Sequence, residues 1–383
     1  MKQTNKVIYF NSYKHNTVED KWKSIAVTVL FTLIIGGLFV LSRVITPPDV
    51  SLSERRPLEK MPAFTLSTVQ SGEFMSGFEK YAADSFPFRE EFRALKSYSV
   101  FNLFFLSDKS GLYIGESGAG KFERINRDSM IQAAGKIRKM AESIEGANIY
   151  YSIIPDKSIY AGRKYPGFDP AEAETILSRE LSGLKFIDLT AVLSPDMFYR
   201  TDVHWSQPRI SDVVETLTKA MGVSVANGFT DNTAGNFKGV YAGQLALPLH
   251  DDIMSYLTNG ILDNAEVLML DEQTFELEPG IMYNLEAFAG NDPYNFFLGG
   301  PQPLIVINNP ASVNERELYI FRDSFGSSLA PLLVPSYSKV TLIDLRYLDS
   351  RLLSDFVTFK EGADILFLYS SQILNNSSVL LVN

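Results

Sequence analysis

From Ser24 to Ser42 (SIAVTVLFTLIIGGLFVLS) the chain carries no charged residue. At about 1.5 Å per helical residue this run nearly spans a ~30 Å hydrocarbon core. Lys21 and Lys23 bound it on one side and Arg43 on the other, and Pro47-Pro48 stop any helix beyond it. Lys2, Lys6, Lys14, Lys21 and Lys23 come first, so the positive-inside rule predicts a cytoplasmic tail over 1–23 and a transmembrane anchor over 24–46. Everything after it is then extracytoplasmic, on a single-pass protein of the cell membrane. A cleaved signal peptide fits less well, because the apolar stretch is long, starts late and is followed by no small-x-small cleavage site.

What lies outside is large enough for a substantial core: the chain has 383 residues, 45% of them hydrophobic. A net charge of −10 argues against nucleic acid, whose phosphates need a basic surface. The absence of cysteine removes disulfides, thiolate nucleophiles and cysteine-bound metals. Only His204 and His250 follow the apolar run, so a zinc site would need carboxylates for its remaining ligands. Neither a metal nor another cofactor is expected. Glycosidase chemistry needs a pair of carboxylates, and no pair stands out among the 45 acidic residues.

Residues 47–70 read as a linker, rich at first in proline, serine and charge, with an extracytoplasmic domain over 71–383. Pro87 disfavours helix at Phe86, and a helix from about Glu90 to Phe105 follows. Leu112 to Ile114 is a short strand. Met130, Ile131, Ala134, Ile137, Met140 and Ile144 share one face of a helix over 127–144. Two apolar runs at 149–154 and 184–189 flank a helix opened by Asp169 and Pro170 and reaching about Leu184. That β-α-β unit predicts an α/β fold with a mostly parallel sheet between two helical layers. Ser206 is placed to cap a helix ending near Met221. Residues 225–300, rich in Asn, Gly and Asp, read as an inserted irregular subregion. Strands are expected at 304–307, 318–321, 339–344 and 364–369, with a short helix from Phe325 to Leu333.

Two stretches carry chemistry. Tyr199 to Ser206 (YRTDVHWS) holds Asp202 and His204 two residues apart, which in extended backbone points both side chains the same way. A carboxylate beside an imidazole is two thirds of a triad. At 318–327 (LYIFRDSFGS) an apolar strand runs into Ser324 at a helix start, the carboxyl end of a parallel sheet where open α/β folds bind ligands. Taken alone, a serine there is more often a helix cap, and an Asp-x-His segment is equally a polar loop with Trp205 as core filling. Together the two stretches favour an Asp202–His204–Ser324 site.

These residues resemble the DHHW family of bacterial surface proteins, which is similar to the SGNH-hydrolase-like domain of alginate O-acetylation proteins. The matching stretches are SERRPLEKMPAFT at 53–65, SGEFMSGFEKYAADSFPFRE at 71–90, YRTDVHWS, NFFLGG at 295–300 and LYIFRDSFGSSLAPLL at 318–333. They occur in family order over nearly the whole extracytoplasmic part. The resemblance implies an SGNH-like α/β/α fold and a serine O-acetyltransferase or acetylesterase acting on a cell-surface polysaccharide. Asp202 would orient the imidazole, His204 act as base and then acid, and Ser324 carry the acetyl group.

Position 203 is Val where the family name has His, and Pro301 follows Gly299-Gly300 where relatives often carry Asn. If that Asn completes the oxyanion hole, the backbone N–H groups of Ser324 and Gly300, or Asn291, are the remaining donors. The competing function is a non-catalytic glycan-binding protein with a degenerate cleft, where Trp205 could equally stack on a sugar or wall the pocket. One span cannot move acetyl groups outward, so an enzyme of this kind would need a multi-span membrane acyltransferase as donor.

Overall fold

In the computed structural model, residues 18–162 and 167–383 are described; the tail lysines Lys2, Lys6 and Lys14 lie outside them. The chain divides into two compact units, Met1–Ser51 with Arg56–Phe92 and Leu52–Arg55 with Arg93–Asn383. Residues 71–92 therefore group with the amino-terminal unit rather than with the domain expected from residue 71.

The first unit contains helix α1 (Val18–Val44), in which the 24 residues Lys21–Val44 are long and apolar enough to cross a membrane. The expected linker carries local order. Val50–Ser51 pairs antiparallel with Arg56–Pro57, and Thr65 caps α2 (Leu66–Ser71) through a reciprocal capping box with Thr68. Arg56 forks onto Asp84 with two 2.7 Å bonds, which, with Arg89 nearby, hold that carboxyl down at about 2.

The second unit is built on an eight-stranded sheet: β1 (Asn148–Ile154), β2 (Lys185–Phe186), β3 (Glu266–Leu270), β4 (Leu277–Pro279), β5 (Leu304–Asn308), β6 (Glu317–Arg322), β7 (Lys339–Ile343) and β8 (Asp364–Ser370). Their order is β4-β3-β5-β7-β6-β8-β1-β2. β7, β6, β8, β1 and β2 run parallel, and β5, β3 and β4 extend that sheet through antiparallel pairs. One face packs against α5 (Ser211–Met221) and α6 (Phe325–Leu333), the other against α3 (Arg127–Glu142) and α4 (Pro170–Glu180). This is the three-layer α/β/α arrangement expected, with a largely parallel sheet.

Several boundaries differ for identifiable reasons. Ser206 caps nothing: Pro208 sits in a 3-10 turn, Gln207–Arg209, and α5 begins only at Ser211. Of the 184–189 run only Lys185 and Phe186 pair with β1. The helix expected to end near Phe105 stops at Tyr98 and continues as one π turn, Ser99–Leu103. Residues 225–300 are not irregular throughout. They contain an antiparallel pair (Thr230–Phe237 with Asp252–Thr258) and strands β3 and β4, the latter at the sheet edge.

The connections locate the functional end. After β6 the chain crosses to β7 on one side, then returns to β8 on the other. β6 is thus a topological switch point, where such sheets open a crevice at their carboxyl edge.

Candidate active site

Tyr199 to His204 forms a closed loop. The Tyr199 N–H donates to the His204 carbonyl at 3.0 Å, and Phe198 and Trp205 pair as an antiparallel bridge. Two buried charges hold the loop. Lys157 Nζ donates to the carbonyls of Tyr199 and Asp202 at 2.8 Å each, and the Asp252 carboxylate accepts the N–H groups of Arg200 at 2.7 Å and Thr201 at 2.6 Å. Burial pulls the Lys157 ammonium down to about 8. Gly118, at φ +108°, lets the backbone pass so close to Arg200 that a Cβ would strike its carbonyl.

The expected extended conformation is not the one found, because the backbone bends through 201–204. Asp202 Oδ1 instead accepts the His204 N–H at 3.2 Å and lies 2.7 Å from His204 Nδ1. The pairing survives because an Asp side chain readily bonds backbone two residues on. A carboxylate only accepts, so Nδ1 carries the proton and Nε2 is left to face Ser324 Oγ, 2.7 Å away.

Ser324 reaches that position because β6 ends at Arg322 and α6 begins at Phe325. It occupies the N-cap, yet its side chain makes no cap bond. Asp323 does that work, accepting the Phe325 N–H at 3.0 Å with one oxygen and the Ser370 N–H of β8 at 2.7 Å with the other. The alternative of Ser324 as a helix cap is therefore taken by its neighbour. Among the described residues, the Ser324 N–H takes no part in the turn and cap bonds around it.

Asp202 is fully buried, and its second oxygen accepts from Arg55 Nη2 at 3.1 Å and the Val240 N–H at 2.9 Å. Burial alone pushes this carboxyl up. The hydrogen bond from His204, the Arg55 guanidinium and the Val240 N–H outweigh it and hold the group well below the usual carboxylate range. Arg55 also reaches Asp292 Oδ1 at 2.7 Å. The Tyr294 ring lies flat on the His204 imidazole, and its buried hydroxyl donates to Ser328 Oγ at 2.7 Å.

A cleft of about 560 Å³ opens on His204, walled by Arg55, Glu123, Tyr241, Gln244 and Gln372. Burial, aided by the charge of Asp156, pushes the Glu123 carboxyl up to about 7. It accepts from Ser371 Oγ at 2.5 Å and from Asn375 Nδ2 at 2.9 Å. A larger cleft of about 800 Å³, beside Phe198, Arg200 and Arg209, contains none of Asp202, His204 and Ser324. Chemistry rather than size picks the smaller one.

The remaining expectations fare differently. Trp205 is 0% exposed, donates Nε1–H to Ser328 Oγ at 2.9 Å and meets Phe325 edge-on, so it cannot stack on a sugar. The Gly300 N–H, offered as an oxyanion donor, is spent in a turn on the Phe297 carbonyl at 3.3 Å, where φ is +85° and a Cβ would strike Asn295. Asn291 is solvent-exposed in the turn before Asp292. Arg55 and Tyr294 were not anticipated. Arg55 lay in plain view in the SERR motif, but nothing local indicates which carboxylates it meets.

No protein-family model and no curated protein matches the sequence. Solved structures do. A DHHW family protein from Eubacterium siraeum superposes with a TM-score of 0.58 at 18% identity, covering 71% of this chain and 94% of its own. The chain has the fold of a DHHW family protein. PatB1 of Bacillus cereus is similar at 0.55 and 19% identity in a structure with a sulfonyl adduct, covering 69% of this chain and 95% of its own. A second PatB1 structure gives 0.54 at 17% identity, covering 69% of this chain and 96% of its own.

Proposed function

We propose that the chain is a membrane-anchored, extracytoplasmic serine O-acetyltransferase or acetylesterase of a cell-surface polysaccharide. The observation that carries this reading is the continuous relay from Asp202 Oδ1 to His204 Nδ1 and from His204 Nε2 to Ser324 Oγ, at 2.7 Å for each link. Ser324 Oγ attacks an acetyl carbonyl while Nε2 takes its proton, and the tetrahedral intermediate collapses as the leaving oxygen receives that proton. A sugar hydroxyl, or water in an esterase, then attacks the acetyl-serine; Nε2 accepts its proton and returns it to Ser324 Oγ. Asp202 stabilises the imidazolium in both halves. The Ser324 N–H at the start of α6 is the available oxyanion donor, placed where the helix dipole favours negative charge.

The apolar length of α1 supports the anchored reading, and a multi-span membrane acyltransferase would supply the acetyl groups. Deleting such a partner and finding surface acetylation unchanged would remove it from the scheme. The direct test is Ser324→Ala in the full chain with an artificial acetyl ester. Wild-type hydrolysis should fall by about 10³-fold or more. A sulfonyl fluoride should add one group per chain at Ser324, a probe prompted by the PatB1 adduct. Wild-type protein that neither hydrolyses the ester nor takes the label would leave a glycan-binding module.

A further inference from the structure

Residues 93–107 (RALKSYSVFNLFFLS) present an apolar face to solvent. Leu95, Tyr98, Leu103, Phe104, Phe105 and Leu106 are 58, 60, 62, 64, 82 and 55% exposed. Disorder does not account for this, since the segment is fixed at both levels of structure. The Phe104 N–H closes the π turn on Ser99 at 2.8 Å, and the Leu106 N–H reaches Val100 at 2.9 Å. Beneath it Ser97 is buried, donating to the Leu245 carbonyl and accepting from Lys109 Nζ at 2.6 Å. Phe101 packs inward on Leu112, Ala119, Tyr241 and Leu245. The fold therefore turns one aromatic in and holds its neighbours out, at a cost of about 25 cal/mol for each Å² left in water. A contiguous patch of this kind marks an interaction surface.

Two observations identify what covers it. The chain has a net charge of −10, yet residues 93–107 hold no acid, and with Arg93 engaged by Glu54 and the Gly243 carbonyl their exposed cation is Lys96, a pattern that suits anionic lipid headgroups. The same chain carries α1, and residues 45–51 alone separate it in sequence from Leu52–Arg55 of the second unit, so a bilayer is the apolar phase always within reach. Tyr98 and Lys96 are residue types whose apolar bodies enter the interface while their polar ends stay wet. We propose that this face inserts into the headgroup region of the outer leaflet, giving the domain a second, peripheral contact with the membrane that anchors it. The proposal rests on α1 spanning that membrane.

Because the natural chain has no cysteine, single-cysteine variants of the full chain give unambiguous labels. Phe105→Cys, Phe31→Cys in α1 and Val313→Cys, at a fully exposed loop site, would each carry bimane. Each would be reconstituted into phosphatidylethanolamine–phosphatidylglycerol vesicles containing a shallow doxyl lipid. Quenching at Phe105 should exceed that at Val313 at least twofold, with Phe31 quenched as well. Quenching at Phe31 without excess quenching at Phe105 overturns the surface contact and leaves the anchor standing. No quenching at either overturns both. A blue shift at Phe105 without lipid quenching would mean that a second copy of the chain covers the patch, and equal quenching at Val313 would mean no oriented contact. Phe104→Glu in the Phe105→Cys background should reduce the quenching to the Val313 level if insertion produces it.

Discussion

Tyr294 lies face to face with His204, ring centroids 3.6 Å apart and planes within 6°. Its hydroxyl, bonded to Ser328 Oγ, pins the ring to the turn of α6 that follows Ser324. The imidazole plane is therefore fixed by the same helix that carries the proposed nucleophile. Tyr294→Phe keeps the stack but loses the bond to Ser328, and should cost less activity than removal of the ring. Tyr294→Ala frees the ring and should lower kcat about 10- to 100-fold with little change in KM. Steady-state ester hydrolysis checks this, and rescue by Phe separates positioning from a role for the hydroxyl.

Arg55 is the only side-chain cation bonded to the buried Asp202 among the described residues, and it bridges to Asp292 as well. Removing one partner of a buried pair strands the other charge, at about 3 kcal/mol. Asp202 has its carboxyl held down in the fold, so its stabilisation is present above the unfolded carboxylate range and lost as pH falls. Arg55→Ala weakens that hold and should move the acid-unfolding midpoint to higher pH, read by circular dichroism. Lysine cannot fork onto two carboxylates, so Arg55→Lys should restore only part of the loss. An unchanged acid midpoint in Arg55→Ala would remove Arg55 from this role.

Ser324 and Asp323 divide labour, which predicts opposite mutant behaviour. Ser324→Ala should abolish ester hydrolysis while leaving the melting temperature nearly unchanged, because the hydroxyl caps no helix. Asp323→Ala removes the bonds to Phe325 and Ser370 and should cost about 1–2 kcal/mol or more. Denaturant unfolding of the two variants tests the assignment; a destabilised Ser324→Ala would return Ser324 to the cap.

The sheet was legible wherever strands are continuous apolar runs, as at 149–154, 318–321 and 364–369, because strands covered on both faces leave no polar alternation. β3 and β4 were missed since they form the antiparallel end of the sheet, with β4 at its edge, and Glu266, Leu277, Glu278 and Pro279 remain exposed. Asp202, His204 and Ser324 could be found from residue type and strand-end position. Arg55 and Tyr294 could not, because their partners are 147 and 90 positions away, set by topology rather than by local pattern. Trp205 stayed open between core filling and sugar stacking for a similar reason. Only the fold decides whether a tryptophan beside a site faces the cleft or Ser328.

Glu123 gives the molecule a pH dependence of unusual sign for a carboxylate. Its folded value near 7 lies above the ordinary 4.5, so the folded chain binds a proton that the unfolded chain has released between those limits. Its contribution to stability is complete below about 4.5 and is lost as pH rises toward 7, on the order of 2 kcal/mol after screening at the cleft mouth. Glu123→Gln keeps an acceptor for Ser371 without a titrating proton. Urea unfolding at a series of pH values should show wild-type stability declining relative to the variant between 4.5 and 7, then running parallel above that. A constant difference across the window would mean that Glu123 ionises as an ordinary surface carboxylate. In that case the wall of the cleft facing His204 would be negatively charged at neutral pH, and the cleft would disfavour acidic sugars.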